Sequence, residues 1–123
     1  MSSAKKKILV VDDEEIMRSF LSDLLEDCGY DVVQASSGEE AIKLIAENKF
    51  DLVITDIRLQ GKDGFDVLRE LKALHNDIKV VLITGYSLNE NESKFKEKGA
   101  DGFLLKPFDI NSIREVTKKL IGQ

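Results

Sequence analysis

The sequence predicts a doubly wound α/β domain, and two observations support that prediction. Short apolar runs alternate along the chain with longer segments in which apolar residues recur at helical spacing. The clearest runs end abruptly at polar residues, as is typical of strands buried on both faces of a parallel sheet. Strands that alternate with helices require right-handed crossovers, so helices are expected on both faces of the sheet.

The first strand and helix are the most clearly marked. The apolar run Ile8–Val11 stops at Asp12 and Asp13. Helical spacing follows over residues 16–28, and Gly29 supplies the stop expected just beyond a helix. The apolar residues expected on the buried side of this helix are Ile16, Phe20, Leu21, Leu24, Leu25 and Cys28.

The second and third units repeat this pattern. Val32–Ala35 form a weaker strand, and Ser37 followed three positions later by Glu40 is typical of a capping box that opens a helix. That helix carries its apolar stripe on Ala41, Ile42, Ile45 and Ala46. Leu52–Ile54 form the third strand, which leads into Asp56. A third helix is then marked by Phe65, Leu68, Leu71 and Leu74.

The last two units complete a five-stranded sheet. Val80–Ile83 form the fourth strand, which ends at Thr84. Phe103–Leu105 form the fifth strand, and Asp109 can cap a final helix after it. The apolar residues of that helix are Ile110, Ile113, Val116, Leu120 and Ile121. A fourth helix over residues 87–98 has little apolar surface, so we expect it to be the most weakly packed.

Composition and charge limit the classes of partner. A length of 123 residues with 42% hydrophobic content suits one domain with one core. The formal charge of −5 argues against nucleic-acid or anionic-membrane binding, which needs a surplus of Lys and Arg. Cys28 is the only cysteine, which excludes an internal disulfide and favours the cytoplasm. No apolar segment has the length of a membrane span or of a signal-peptide core.

Polar residues at the strand ends predict a site at one edge of the sheet. Asp12 and Asp13 follow the first strand, Asp56 the third, Thr84 the fourth and Lys106 the fifth. Parallel α/β sheets bind ligands beyond the carboxyl ends of their strands. Two unit charges about 4 Å apart repel by roughly 4 kcal/mol at an effective dielectric constant near 20, so clustered carboxylates need a counterion or protonation. Oxygen ligands favour Mg²⁺. A metal ion, a lysine and a hydroxyl around a carboxylate are also the parts that phosphoryl transfer requires.

Four segments of the chain resemble the signature segments of response regulator receiver domains. They are Ile8-Leu-Val-Val-Asp-Asp-Glu, Val53-Ile-Thr-Asp56, Leu82-Ile-Thr84-Gly and Gly102-Phe-Leu-Leu-Lys106-Pro-Phe. Each segment is weak alone, but the four in this order at strand ends are specific. The resemblance spans essentially the whole chain, so residues 1–123 are interpreted as a single receiver domain. It implies a flavodoxin-like fold, with a parallel sheet in the strand order 2-1-3-4-5 and five helices.

The resemblance also implies a mechanism. Asp56 would accept a phosphoryl group from a phosphohistidine on a sensor histidine kinase or a histidine phosphotransfer protein. Asp13 and Asp56 would bind Mg²⁺ directly, Asp12 would act through metal-bound water, and the backbone carbonyl of Arg58 would add a ligand. Such a domain is not an enzyme with a separate substrate, since it assists its own phosphorylation and dephosphorylation.

Three further positions carry the signal in the family that the chain resembles. Thr84 would bond a phosphoryl oxygen, and Lys106 would pair with the phosphoryl charge. Phe103 would turn inward as Thr84 moves, which changes the face made by the fourth helix, the fifth strand and the last helix. A downstream protein target or a fused output domain would read that face, with the domain acting as a monomer or a weak phosphorylation-dependent dimer. The Lys106–Pro107 bond is expected to be cis.

The chain departs from the family pattern after the phosphoacceptor. Gln60 stands where the family usually has proline four residues after the aspartate. Arg58 and Tyr86 occupy the positions that influence how water reaches the acyl phosphate in this family. Because both side chains are bulky, we expect slower self-dephosphorylation than in fast chemotaxis members.

Other interpretations stay open at this point. Asp12 and Asp13 could be helix caps, Lys106 a solvated charge and Phe103 a core aromatic. A flavin-binding electron carrier shares the fold class, but an acidic first loop would repel a flavin phosphate. A phosphatase with an aspartate nucleophile would carry Asp-x-Asp after the first strand, which the chain lacks. The nearest alternative is a phosphorylation-independent receiver-like module for protein interaction.

Overall fold

Five parallel strands form one sheet within residues 5–56, 64–74, 77–84 and 99–122, which are the residues that the computed structural model describes. The strands are β1 (Lys7–Val11), β2 (Asp31–Ala35), β3 (Leu52–Asp56), β4 (Lys79–Thr84) and β5 (Gly102–Leu105). They lie in the order β2-β1-β3-β4-β5, and each neighbouring pair is parallel. The predicted fold class and strand order are confirmed.

Helices connect these strands. They are α1 (Glu15–Asp27), α2 (Gly38–Glu47), α3 (Gly64–Leu74) and α4 (Ile110–Ile121). The fourth predicted helix, over residues 87–98, lies outside the described residues, so α4 here is the last predicted helix. No helix in the described part of the chain is long and apolar enough to span a membrane.

The sheet separates two groups of buried apolar side chains. Leu9 and Val53 pack on one face with residues of α2 and α3. Ile8 and Ile54 pack on the other face with residues of α1 and α4. These four side chains are completely buried, and each such burial contributes about 1.5–3 kcal/mol. Residues of β1 and β3 thus contribute to both layers of the core.

Both predicted helix caps are confirmed. Ser37 Oγ accepts a hydrogen bond from the backbone N–H of Glu40 at 3.1 Å, and Glu40 Oε1 accepts one from the backbone N–H of Ser36 at 2.6 Å. Asp109 Oδ1 accepts the backbone N–H of Ser112 at 2.8 Å at the start of α4. This hydrogen bond lowers the pKa of Asp109. The chain therefore enters α2 and α4 where its sequence predicts.

The predicted buried side of α1 is wrong in part. Leu21 is completely buried, but Ile16 is 87% exposed and Phe20 is 43% exposed. Met17 packs on the core instead. Adjacent residues of a helix point about 100° apart, so the Ile16–Phe20 line cannot face the sheet together with the Met17–Leu21 line. The apolar stripe is wider than the face that the sheet covers.

An ion pair ties α3 to the two strands at the opposite end of the sheet. Lys72 Nζ donates to the carbonyl oxygen of Ile78 at 2.7 Å and to Asp101 Oδ2 at 2.9 Å. The same Asp101 oxygen accepts the backbone N–H of Val80 at 2.8 Å. Because β4 begins and β5 is entered here, the contact fixes the start of both strands.

Candidate functional site

The predicted site residues lie at the carboxyl edge of the sheet. Asp56 is the last residue of β3, and Thr84 is the last residue of β4. Asp12 directly follows β1, and Lys106 directly follows β5. β3 and β4 pair in parallel with Asp56 opposite Ile83, so Asp56 and Thr84 end neighbouring strands at nearly the same level. The edge predicted from the strand ends is the edge where these residues are found.

Asp56 and Lys106 are in direct contact. Lys106 Nζ donates to Asp56 Oδ2 at 2.8 Å, and the two side chains are 30% and 12% exposed, respectively. Burial alone would lower the pKa of Lys106, but the hydrogen bond and charge of Asp56 outweigh burial and raise this pKa above its ordinary value. The ammonium group is therefore charged at neutral pH and lies against the carboxylate.

The backbone around Lys106 fixes where its side chain starts. The backbone N–H of Lys106 donates to the carbonyl oxygen of Thr84 at 2.8 Å. The Lys106–Pro107 peptide bond is cis, as expected. The hydrogen bond to Thr84 and the strand order place the lysine at the end of the edge strand, across β4 from Asp56.

Asp12 is the most deeply buried acidic residue of the edge, and it is completely inaccessible to solvent. Its Oδ1 accepts the backbone N–H of Glu14 at 2.8 Å, whereas its Oδ2 has no hydrogen-bond partner among the described residues. Burial raises the pKa of Asp12, and the charge of Asp56 adds to that effect. A buried carboxylate oxygen without a donor is costly unless a cation or a proton satisfies it.

Asp12 belongs to a compact acidic set. Carboxylate oxygens of Asp12, Asp13 and Glu14 lie within 4.8 Å of one another. Asp13 and Glu14 are exposed, so the set opens from a buried oxygen towards solvent. Three carboxylates this close together, one of which has a buried oxygen without a hydrogen-bond partner among the described residues, suit a divalent cation such as Mg²⁺. Asp56 acts on this set through its charge, since it contributes to the raised pKa of Asp12.

Glu14 is the member of this set that sequence reasoning did not assign to the site. The signal was present as a third acidic residue directly after Asp12 and Asp13. Acidic residues after a strand are typical of helix caps, and Glu14 is indeed the N-cap residue of α1. Its side chain, however, makes no capping hydrogen bond.

The two predicted switch residues occupy different environments. Thr84 is 2% exposed at the end of β4. Phe103 is partly buried and packs against the core on the α2 and α3 face of the sheet. The contact with the core agrees with the simpler interpretation of Phe103, and its role as a switch stays a prediction. Arg58, Gln60 and Tyr86 lie outside the described residues.

An apolar groove borders the site beside Lys106. It is lined by Met17, Phe20, Lys106, Pro107 and Phe108. The exposed side chain of Ile16 lies one turn before Phe20 on α1. We call this surface, with Ile16, the α1 patch. Its apolar side chains therefore adjoin the lysine that contacts Asp56.

Comparison with known proteins identifies the family. Residues 8–118 match the family described as the response regulator receiver domain. The chain belongs to this family. Sporulation initiation phosphotransferase F of Bacillus subtilis is 34% identical over 116 residues, which are 94% of both chains. Transcriptional regulatory protein ZraR of Escherichia coli is 38% identical over 115 residues, which are 94% of this chain but 26% of that protein.

Solved structures agree with this assignment to the receiver family. Chemotaxis protein CheY4 of Vibrio cholerae superposes with a TM-score of 0.89 at 28% identity, covering 95% of this chain and 99% of that chain. The receiver domain of NtrX from Brucella abortus superposes with a TM-score of 0.86 at 34% identity, covering 93% and 97%. The chain is thus a receiver domain of two-component signalling, a family of phosphoacceptor domains.

Proposed function

We propose that Asp56 of this receiver domain is the residue that accepts the phosphoryl group. The donor is a phosphohistidine on a sensor histidine kinase or on a histidine phosphotransfer protein. The observation that carries the proposal is the 2.8 Å contact between Lys106 Nζ and Asp56 Oδ2, at the same edge as the buried, unpartnered Oδ2 of Asp12. A cation and an acidic set flank one carboxylate at the edge where α/β sheets bind their ligands.

The transfer needs one bond to form and one to break. A carboxylate oxygen of Asp56 attacks phosphorus, the bond from phosphorus to the imidazole nitrogen breaks, and its electron pair stays on the imidazole. Lys106 then pairs with the phosphoryl oxygens, which lowers the energy of the charge that develops there. Asp13, Asp56 and the backbone carbonyl of Arg58 would hold Mg²⁺ directly, and Asp12 would hold it through a metal-bound water. When bound, the ion would supply charge neutralisation for the transfer.

The signal leaves the site through Thr84 and Phe103. Thr84 bonds a phosphoryl oxygen, and Phe103 turns into the space that its movement opens. The backbone bond from Lys106 to Thr84 supports this coupling, because it joins the ends of β4 and β5 beside Asp56. The domain assists its own phosphorylation and dephosphorylation and turns over no separate substrate. Its location is the cytoplasm, where kinases and phosphotransfer proteins of this type act.

A downstream protein target or a fused output domain receives the signal from a monomer or a weak phosphorylation-dependent dimer. The relatives support both arrangements. The sporulation phosphotransferase is matched over 94% of its length, whereas ZraR is matched over 26%.

The α1 patch is the surface on which the phosphohistidine donor docks. This patch adjoins Lys106, which contacts Asp56, so a donor protein that presents its imidazole to Asp56 would cover it. Ile16 is 87% exposed and Phe20 is 43% exposed. Both side chains would lose their contact with water in the complex and supply the apolar contacts that it requires. The Ile16→Ser substitution is therefore expected to slow transfer from a protein donor and to leave transfer from acetyl phosphate unchanged. Leu74→Ser is the matched control, since Leu74 is 45% exposed at the far end of α3.

Intact mass spectrometry after incubation with acetyl phosphate tests the phosphoacceptor assignment. The wild type should gain one phosphoryl group with Mg²⁺ and none with EDTA. Asp56→Asn should gain none, and Asp31→Asn, which alters an exposed aspartate at the start of β2, should behave as wild type. A wild type that stays unmodified would favour the phosphorylation-independent interaction module instead. A phosphoryl group that survives Asp56→Asn would contradict the assignment.

A further inference from the structure

Glu14 lies in the acidic set at the carboxyl edge, although the family motif assigns it no role. Its carboxylate oxygen lies within 4.8 Å of those of Asp12 and Asp13. Glu14 is exposed and forms the solvent side of the set, whereas Asp12 forms the buried side. An ion bound between Asp12 and Glu14 would therefore have the Glu14 carboxylate on its solvent side.

A second observation concerns the buried member of this set, Asp12. Asp12 Oδ2 belongs to a completely buried residue and has no hydrogen-bond partner among the described residues. An oxygen of this kind demands a cation or a proton.

The helix-cap role does not occupy the Glu14 carboxylate. The backbone of Glu14 is extended, with φ −96° and ψ 119°, as an N-cap residue requires, but its side chain accepts no capping hydrogen bond. Its backbone N–H is instead bound by Asp12 Oδ1 at 2.8 Å. This bond fixes Glu14 beside Asp12 and leaves its carboxylate available for another partner.

We infer that Glu14 is a further acidic residue of the divalent cation site and increases its affinity from the solvent side. Mg²⁺ keeps several of its waters when it binds to proteins, so an exposed carboxylate can hold the ion through them. The inference rests on the proposed Mg²⁺ site and adds a residue to it. The inference predicts that the chain has a higher affinity for Mg²⁺ than the aspartates alone would give it.

Isothermal titration calorimetry with MgCl₂, without any phosphoryl donor, tests this role. Glu14→Gln should raise the dissociation constant roughly tenfold, as expected for one carboxylate about 5 Å from a divalent ion in high-dielectric surroundings. Glu15→Gln is the matched control, because it removes the same charge from the next residue, which is also exposed. It should change the dissociation constant by less than about twofold, since screening weakens charges farther from the ion. Asp13→Asn should abolish binding over the same range.

The outcomes separate this role from the metal site itself. An unchanged dissociation constant in Glu14→Gln, or an equal change in Glu15→Gln, would overturn the role of Glu14 while leaving the site. A wild type that binds no Mg²⁺ would overturn both the site and the role. Thermal unfolding in EDTA should give Glu14→Gln the stability of wild type, because no capping bond is lost. A weaker affinity therefore cannot be attributed to a damaged α1.

Discussion

Replacing Lys106 with methionine removes the ammonium group from Asp56 while keeping a side chain of similar length. The lost contact is the 2.8 Å hydrogen bond between Lys106 Nζ and Asp56 Oδ2. A hydrogen bond to a charged group contributes about 1.5–3 kcal/mol. Lys106 is 30% exposed, so solvent screening places the loss near the lower end, about 1.5 kcal/mol. The free energy of unfolding of the metal-free domain should fall by that amount.

Urea unfolding in EDTA measures this loss in a double-mutant cycle. The cycle comprises the wild type, Lys106→Met, Asp56→Asn and the double variant, with a coupling energy of about 1 kcal/mol expected between the two sites. Lys43→Met serves as the control, because Lys43 is an exposed lysine of α2. Additivity to within about 0.3 kcal/mol would show that the contact contributes nothing to stability and would refute the reasoning.

The pH dependence of the same variant supplies a second check. The pKa of Lys106 is raised in the folded state, so its contribution is complete below the unfolded lysine pKa of about 10.4. That contribution is lost as the pH rises through the higher folded value. The destabilisation of Lys106→Met should therefore be constant near neutral pH and shrink above about pH 10.4. A destabilisation that persists there would mean that packing, not charge, is responsible.

Three further predictions concern Asp12, α2 and the lifetime of the phosphorylated state. Burial raises the pKa of Asp12, so the folded state favours its protonated form. The stabilising contribution of that form is complete below about pH 3.9 and is lost as the pH rises through the folded pKa. Asp12→Asn removes the charge, so it should raise the melting temperature in EDTA at neutral pH. No rise would contradict this. Ser37→Ala should lower the free energy of unfolding by about 1 kcal/mol in urea, and an unchanged midpoint would argue against the cap. Because bulky Arg58 and Tyr86 occupy the two sequence positions that influence water access in this family, the acyl phosphate should decay slowly. A half-life of seconds with Mg²⁺, measured by mass spectrometry, would exclude that expectation.

The ends of the strands were predictable because each depends on local sequence, whereas the strand order followed only from the resemblance to receiver domains. Short apolar runs such as Ile8–Val11 can be buried on both faces only in a sheet flanked by helices. The polar residue that ends each run then marks the carboxyl edge. Asp56 and Thr84 end such runs and Lys106 directly follows one, so their position at this edge follows from the sequence.

Contacts between distant segments were not predictable in the same way. The apolar pattern of α1 could not show that Ile16 and Phe20 are exposed, because a partner surface and a core use the same residue types. The Lys72–Asp101 ion pair joins residues that are 29 positions apart, so it follows from the fold alone. For Glu14, the position at the helix start was apparent, but the distance of its carboxylate from the aspartates was not.

Borohydride reduction of the phosphorylated protein, followed by peptide sequencing in the mass spectrometer, tests the central claim most directly. Reduction converts an aspartyl phosphate to homoserine and so marks the residue that carried the phosphoryl group. The proposed mechanism predicts homoserine at position 56, formed only when Mg²⁺ and a phosphoryl donor were both present. Homoserine at Asp12 or Asp13, or none in a protein that had gained a phosphoryl group, would contradict it.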